Sequence, residues 1–93
     1  MTIGLLSIEL YLPLSRSLKD KRMVVRRLKD RLRAANVSVA EVAHQDLWQR
    51  AGLAIVTVSG DAGVAEQTLT HALQDVERLE PGLVTTSRIE YLH

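Results

Sequence analysis

Between Ile3 and Leu12 the chain alternates. Gly4, Leu6, Ile8, Leu10 and Leu12 fall on one side, and Ile3, Leu5, Ser7, Glu9 and Tyr11 on the other. A period of two held over ten residues marks a strand with one side turned to a core. The even side is uniformly apolar and is the side to bury. Pro13 ends the strand, because it has no N–H for a ladder. The period then changes to 3.6. Leu18, Val25, Leu28, Leu32 and Ala35 recur at helical spacing, with Val24 beside them. Ser17 is placed to cap this helix, with Asp20 in capping-box position, and Asn36 to close it in a left-handed conformation. Ala62, Ala65, Leu69, Ala72, Val76 and Leu79 define a second amphipathic helix, capped by Asp61 or Ser59 and stopped by Pro81-Gly82.

Three further strands fill the gaps. Val37–His44 is β-branched and partly alternating. Gln45–Gly52 is too long for a tight hairpin and has room for one helical turn. Leu53–Ser59 splits into Ala54, Val56 and Val58 on one face and Leu53, Ile55 and Thr57 on the other. Leu83–Leu92 places Leu83, Ile89 and Tyr91 on one face and Val84 and Leu92 on the other. The order is β-α-β-β-α-β over 93 residues, one domain's worth of chain. Right-handed crossovers put both helices on one face of a four-stranded antiparallel sheet. This is the α+β, ferredoxin-like or split-βαβ fold, with strand order 4-1-3-2. The other face carries no helix. Ile3, Leu5, Ser7, Tyr11, Leu53, Ile55 and Thr57 are expected there, and so apolar a face calls for cover, most simply a second copy of the chain. The candidate pairing residues are Ile3, Leu5, Tyr11, Leu53 and Ile55.

Charge is segregated. The run from Arg16 to Arg33 holds nine of the chain's twelve Lys and Arg against two acids, Asp20 and Asp30, a net +7; the other 75 residues carry −6. Within the helix, Lys19, Arg22, Arg26, Lys29 and Arg33 step 3-4-3-4 and form one basic ridge, about 21 Å long at ~1.5 Å per residue. Arg27 and Arg31 lie on the opposite flank. Lys21 falls inside the apolar stripe. It either reaches past the helix start to a carboxylate or phosphate, or snorkels off the core edge or pairs with Glu41 or Asp46; the latter is favoured.

Leu12 to Ser59, with its SLKDKR start, NVSVAEV strand and DLWQRA loop, resembles the YlxP-like family of small bacterial proteins, a domain of unknown function. The resemblance extends over essentially the whole chain. It implies a ferredoxin-like fold and a cytoplasmic bacterial protein. Genes of such proteins often sit beside those for translation initiation and ribosome maturation. The family brings no catalytic residues to carry over.

The remaining candidates have plainer readings. The chain lacks cysteine, so disulfides, thiolate nucleophiles and cysteine zinc sites are excluded, and a reducing cytoplasm fits. No apolar run approaches the ~18–20 residues that span a bilayer, and the N-terminus has no basic leader of the signal-peptide kind. His44 and Asp46 are two apart, with His71 and His93 isolated, a poor metal set. Ser15, Ser17 and Thr70 have no evident base. Glu9 faces solvent or a second copy. The SGDAG turn at 59–63 matches no phosphate loop. Trp48 is expected to plug the end of the core, with Asp46 capping a turn and Arg50 paired to it. Strand three has no aromatic, so bases are not expected to stack across the sheet as in an RRM.

These readings converge on a non-catalytic cytoplasmic binding module with no cofactor and no metal. It is expected to be dimeric and to meet RNA or a ribosomal particle through Lys19, Arg22, Arg26, Lys29 and Arg33, with Arg27 and Arg31 secondary. The alternative is a homodimeric protein-interaction or small-anion-binding regulatory module, its ligand unknown.

Overall fold

The structure, a computed structural model, describes residues 1–92. Six elements follow in the expected order: β1 (Thr2–Tyr11), α1 (Leu18–Leu32), β2 (Ser38–Ala43), β3 (Arg50–Ser59), α2 (Ala62–Leu79) and β4 (Val84–Leu92). The strands form one antiparallel sheet in the order β2-β3-β1-β4, so β1 and β3 are central. This is the ferredoxin-like arrangement, and both helices pack on one sheet face.

The alternation in β1 is realised as read. Leu6, Ile8 and Leu10 are buried, and Ile3, Leu5, Ser7 and Glu9 are half-buried on the open face. Val25, Leu28 and Leu32 from α1 and Ala65, Leu69, Ala72 and Val76 from α2 close the core from above. Each fully buried leucine or valine there contributes roughly 1.5–3 kcal/mol relative to exposure. The helix starts follow the sequence. Ser17 Oγ accepts from Asp20 N at 3.0 Å. Asp20 returns the bond one residue further back, accepting from Arg16 N at 2.9 Å. Asp61 caps α2 by accepting from Val64 N at 3.1 Å. Gly82, at φ +80, makes the turn after α2. Gly4 is a close-approach glycine: a Cβ there would stand 2.7 Å from Leu69 Cδ1, under a helix that packs directly on β1.

Four expectations change. Leu53, Ile55 and Thr57 lie on the helix-covered face, not the open one. Leu53 pairs with Ile8, Ile55 with Leu6 and Thr57 with Gly4, and directly paired residues share a face. All three are buried. The open face of β3 belongs to Ala54, Val56 and Val58, so Leu53 and Ile55 leave the candidate pairing face, while Ile3, Leu5 and Tyr11 stay on it. Both faces of β3 are apolar, so its own pattern does not say which is inside. Second, the register shifts between Glu9 and Leu10 and sets Val84 opposite Leu10; this irregularity moves Val84 to the core side with Ile89. Third, Asn36 is not left-handed. The positive-φ residues described are His44 and Gly82, and Asn36 instead fastens the α1–β2 connection to β3. Its Nδ2 donates to Val58 O at 3.0 Å and its carbonyl accepts from Thr57 Oγ1 at 2.6 Å. Fourth, β3 begins at Arg50, so the β2–β3 connection shrinks to a turn in which Leu47 N donates to His44 O at 3.0 Å.

Candidate nucleic-acid interface

The rotation of α1 is fixed by its buried stripe, Lys21, Val25, Leu28 and Leu32. That stripe leaves two flanks. One faces α2, where Arg27 Nη2 donates to Glu80 Oε1 at 2.6 Å and Arg31 Nη2 stands 4.0 Å from Asp75 Oδ1. The other flank carries Lys19, Arg22, Arg26, Lys29 and Arg33. Among the described residues, no carboxylate lies within 4.0 Å of Lys19, Arg22, Arg26 or Lys29. Arg33 meets Asp30 at 3.1 Å, one turn back and well exposed, a pairing worth only about 0.3–0.5 kcal/mol. The seven cations picked out by sequence therefore divide. Five form the ridge on the flank away from α2, with Lys29 half-buried at its edge; of the other two, Arg27 is hydrogen-bonded to Glu80, and Arg31 only approaches Asp75, whose Oδ1 already accepts from Arg78 Nη1 at 2.9 Å. Glu66, Asp75, Glu77 and Glu80 make α2 and its C-terminal end acidic; which α1 flank they would meet does not follow from their spacing.

Between the ridge and β2 runs an open groove of about 340 Å³, lined by Arg22, Arg26, Lys29 and Arg33 with Asp30 and Glu41. The charge of Glu41 is already answered. Lys21 lies beneath it, only 1% exposed, with Nζ 2.9 Å from Glu41 Oε2. That contact is charge pairing off the line of a directed hydrogen bond, because Oε2 accepts no well-aligned donor. The ammonium instead donates to the carbonyls of His44 (2.8 Å), Gln45 (3.0 Å) and Arg50 (3.3 Å). Lys21 is thus a tie that holds both ends of the β2–β3 connection to the first turn of α1. Of the two carboxylates offered as partners, Glu41 is the one it meets.

His44 takes φ 63, which turns its carbonyl toward Lys21 while its Nε2 lies 3.0 Å from Glu9 Oε2. Ser15 Oγ donates to Ser17 O at 3.1 Å within the β1–α1 turn. His71 is exposed on α2; His93 lies outside the described residues. No cluster of three metal-ligating side chains occurs among the described residues. No helix described is long and apolar enough to cross a membrane.

Trp48 does not plug the core. It is 54% exposed, and Tyr11 is 44% exposed. Both line a shallow cavity of about 350 Å³ with Asp46, Leu47, Gln49 and Arg50. The core at this end is already closed by Leu10, Leu12 and Ala51, so the indole has nowhere to enter. Asp46 caps no helix, and Arg50 makes no ion pair with it. The signal in the sequence was the flanking Gln, Asp and Arg, which suit a solvent-facing loop better than a plug.

The family model "Protein of unknown function (DUF503)" matches residues 3–89. The "Uncharacterized protein YlxP" of Bacillus subtilis (strain 168) is 34% identical over 76 residues, 81% of this chain and 83% of that protein. Among solved structures, the "De novo designed protein Foldit4" superposes with TM-score 0.57 at 10% identity, over 99% of this chain and 96% of that one. A likeness at that identity speaks for the fold alone. The family match and the identity to YlxP, each over most of the chain, place this protein in the DUF503 family.

Proposed function

We propose that the protein is a non-catalytic cytoplasmic module that holds RNA by its phosphate backbone along α1. One observation carries the reading: Lys19, Arg22, Arg26 and Lys29 share a flank with no carboxylate within 4.0 Å among the described residues, while on the other flank Arg27 is hydrogen-bonded to Glu80 and Arg31 faces Asp75 at 4.0 Å. A rigid row of cations without internal counter-charges suits a polyanion, and backbone contacts of this kind bring little sequence preference. β3 carries no aromatic between Arg50 and Ser59, which argues against bases stacking across the middle of the sheet. The setting of similar proteins makes ribosomal or precursor RNA the first to try. A salt series tests the reading. Four backbone contacts to a single strand predict a log–log slope of about −3, at ~0.7 per contact. A slope near zero, or no binding at about 50 mM salt, removes it.

The open sheet face supports a dimeric form of the same module. Ile3, Leu5 and Val56 are half-buried there, and Val58 and Leu92 are exposed. On β4 Arg88 pairs with Glu90, so a two-fold related copy could set each charge against its opposite. Light scattering is expected to give about twice the 10.4 kDa chain mass, and Leu5→Glu to halve it. A wild-type monomer at high concentration would remove the dimer and leave the RNA reading standing.

A further inference from the structure

We infer that Trp48, Tyr11 and Arg50 form a stacking site for an unpaired nucleobase, placed where a strand leaving the basic ridge would round the end of the sheet. This rests on the RNA reading above and adds the class of RNA: single-stranded, not duplex.

Two of the chain's three aromatics stand half-exposed in one shallow cavity, in a protein whose core is otherwise aliphatic. Tyr11 and Arg50 are cross-strand partners at the last rung of the β1–β3 ladder, so their side chains share the open face. Trp48 follows two residues before Arg50. The cavity of about 350 Å³ falls within the range of small-ligand sites, ~300–1,000 Å³. Its polar groups are available: among the described residues, the Arg50 guanidinium, the Asp46 carboxylate and the Trp48 indole N–H have no protein partner. A guanidinium and a carboxylate beside aromatic faces match a base's acceptors, amino groups and ring.

The platform is also held in place. Lys21 Nζ grips the carbonyls of His44, Gln45 and Arg50. Gln49 Nε2 donates to Pro13 O at 3.2 Å and Ser15 O at 3.4 Å. The loop bearing Trp48 is therefore fastened to the first turn of α1, where Lys19 and Arg22 begin the ridge. Charge for phosphates and surface for a base are joined by one set of bonds. A docked protein would use the same apolar surface, but Lys19, Arg22, Arg26 and Lys29, with no carboxylate within 4.0 Å among the described residues, favour the polyanion. Tyr11 belongs to the face expected to pair copies, but Ile3, Val58 and Leu92 lie at its other end, so pairing centred on those three leaves the site open.

Trp48 is the chain's single tryptophan, so its emission reports the site directly. Single-stranded oligouridylate is expected to quench it, and the same strand annealed to oligoadenylate to leave it nearly unchanged. Trp48→Ala should weaken oligouridylate binding about ten-fold, in line with single-base stacking, without altering the salt slope; Trp48→Phe should restore most of the affinity. Binding with the ridge's salt slope, no quenching and wild-type affinity in Trp48→Ala would overturn the stacking site and leave the backbone reading intact. Absence of all RNA binding would overturn both. Emission indifferent to RNA, together with a loss of dimer mass in Trp48→Ala, would make the patch a protein contact and overturn the stacking site.

Discussion

Replacing Lys21 with alanine is expected to lower the thermal midpoint by at least about 12 °C. The side chain is 1% exposed, and its ammonium meets Glu41 and three carbonyls. Truncation strands Glu41, itself only 17% exposed, and leaves the carbonyls of His44, Gln45 and Arg50 to find water. Breaking a buried charge pair by removing one partner costs about 3–5 kcal/mol, and a domain of this size loses about 4–8 °C per kcal/mol. Lys21→Met keeps the stem packed and should lose less. Combining Lys21→Met with Glu41→Leu should recover part of the loss, because it removes the stranded charge. Calorimetry on the four proteins reads the result. A Lys21→Ala midpoint within a few degrees of wild type would show that the tie carries little of the fold's stability. The same substitution should loosen the β2–β3 turn first, seen as faster amide exchange at Gln45–Gln49.

Reversing Arg22, Arg26 and Lys29 together to glutamate is expected to reduce affinity for single-stranded RNA about 100-fold at ~0.1 M salt, since each lost contact removes roughly a factor of five at that ionic strength. The salt slope should fall from about −3 toward −1. Arg22 and Arg26 are exposed and Lys29 is half-buried at the groove edge, so the fold should persist. The informative control is Arg27→Glu with Arg31→Glu. These two reversals set like charges against Glu80 and Asp75 and should cost stability, yet leave RNA affinity within a few-fold. Filter binding and a thermal melt on both variants separate the flanks. Equal losses of affinity would mean that total charge, not the ridge, drives binding. Unchanged affinity in the triple reversal would remove α1 as the RNA surface.

The candidate site was legible in part. Helical spacing alone placed Lys19, Arg22, Arg26, Lys29 and Arg33 on one azimuth, and the structure keeps them together on the flank away from α2. It also placed Lys21 in the apolar stripe, but left open whether it snorkels off the core edge or pairs with Glu41 or Asp46; the structure shows the pairing with Glu41. What spacing did not carry was which cations would meet the acids of α2. Arg27 and Arg31 are as basic as their neighbours, and only the packing of one helix beside the other pairs them. Trp48 departs from expectation for a related reason. A large apolar side chain in a small protein is normally buried, but burial needs an opening, and Leu10, Leu12 and Ala51 leave none.

The sequence by itself determined the order of elements, the cap at Ser17, the buried side of β1 and the segregation of positive charge onto α1, and it left the cap of α2 between Asp61 and Ser59. Each of these is a local property, set by residue spacing within one segment. The tertiary structure decided the rest: which face of β3 is inside, where the irregularity beside Leu10 sends Val84, which cations are paired, and where Trp48 points. β3 is apolar on both faces, so its side is set by its register against β1, through the pairing of Gly4 with Thr57, Leu6 with Ile55 and Ile8 with Leu53. A one-residue slip in that register would turn every side chain of β3 over, and no periodicity within Arg50–Ser59 distinguishes the two.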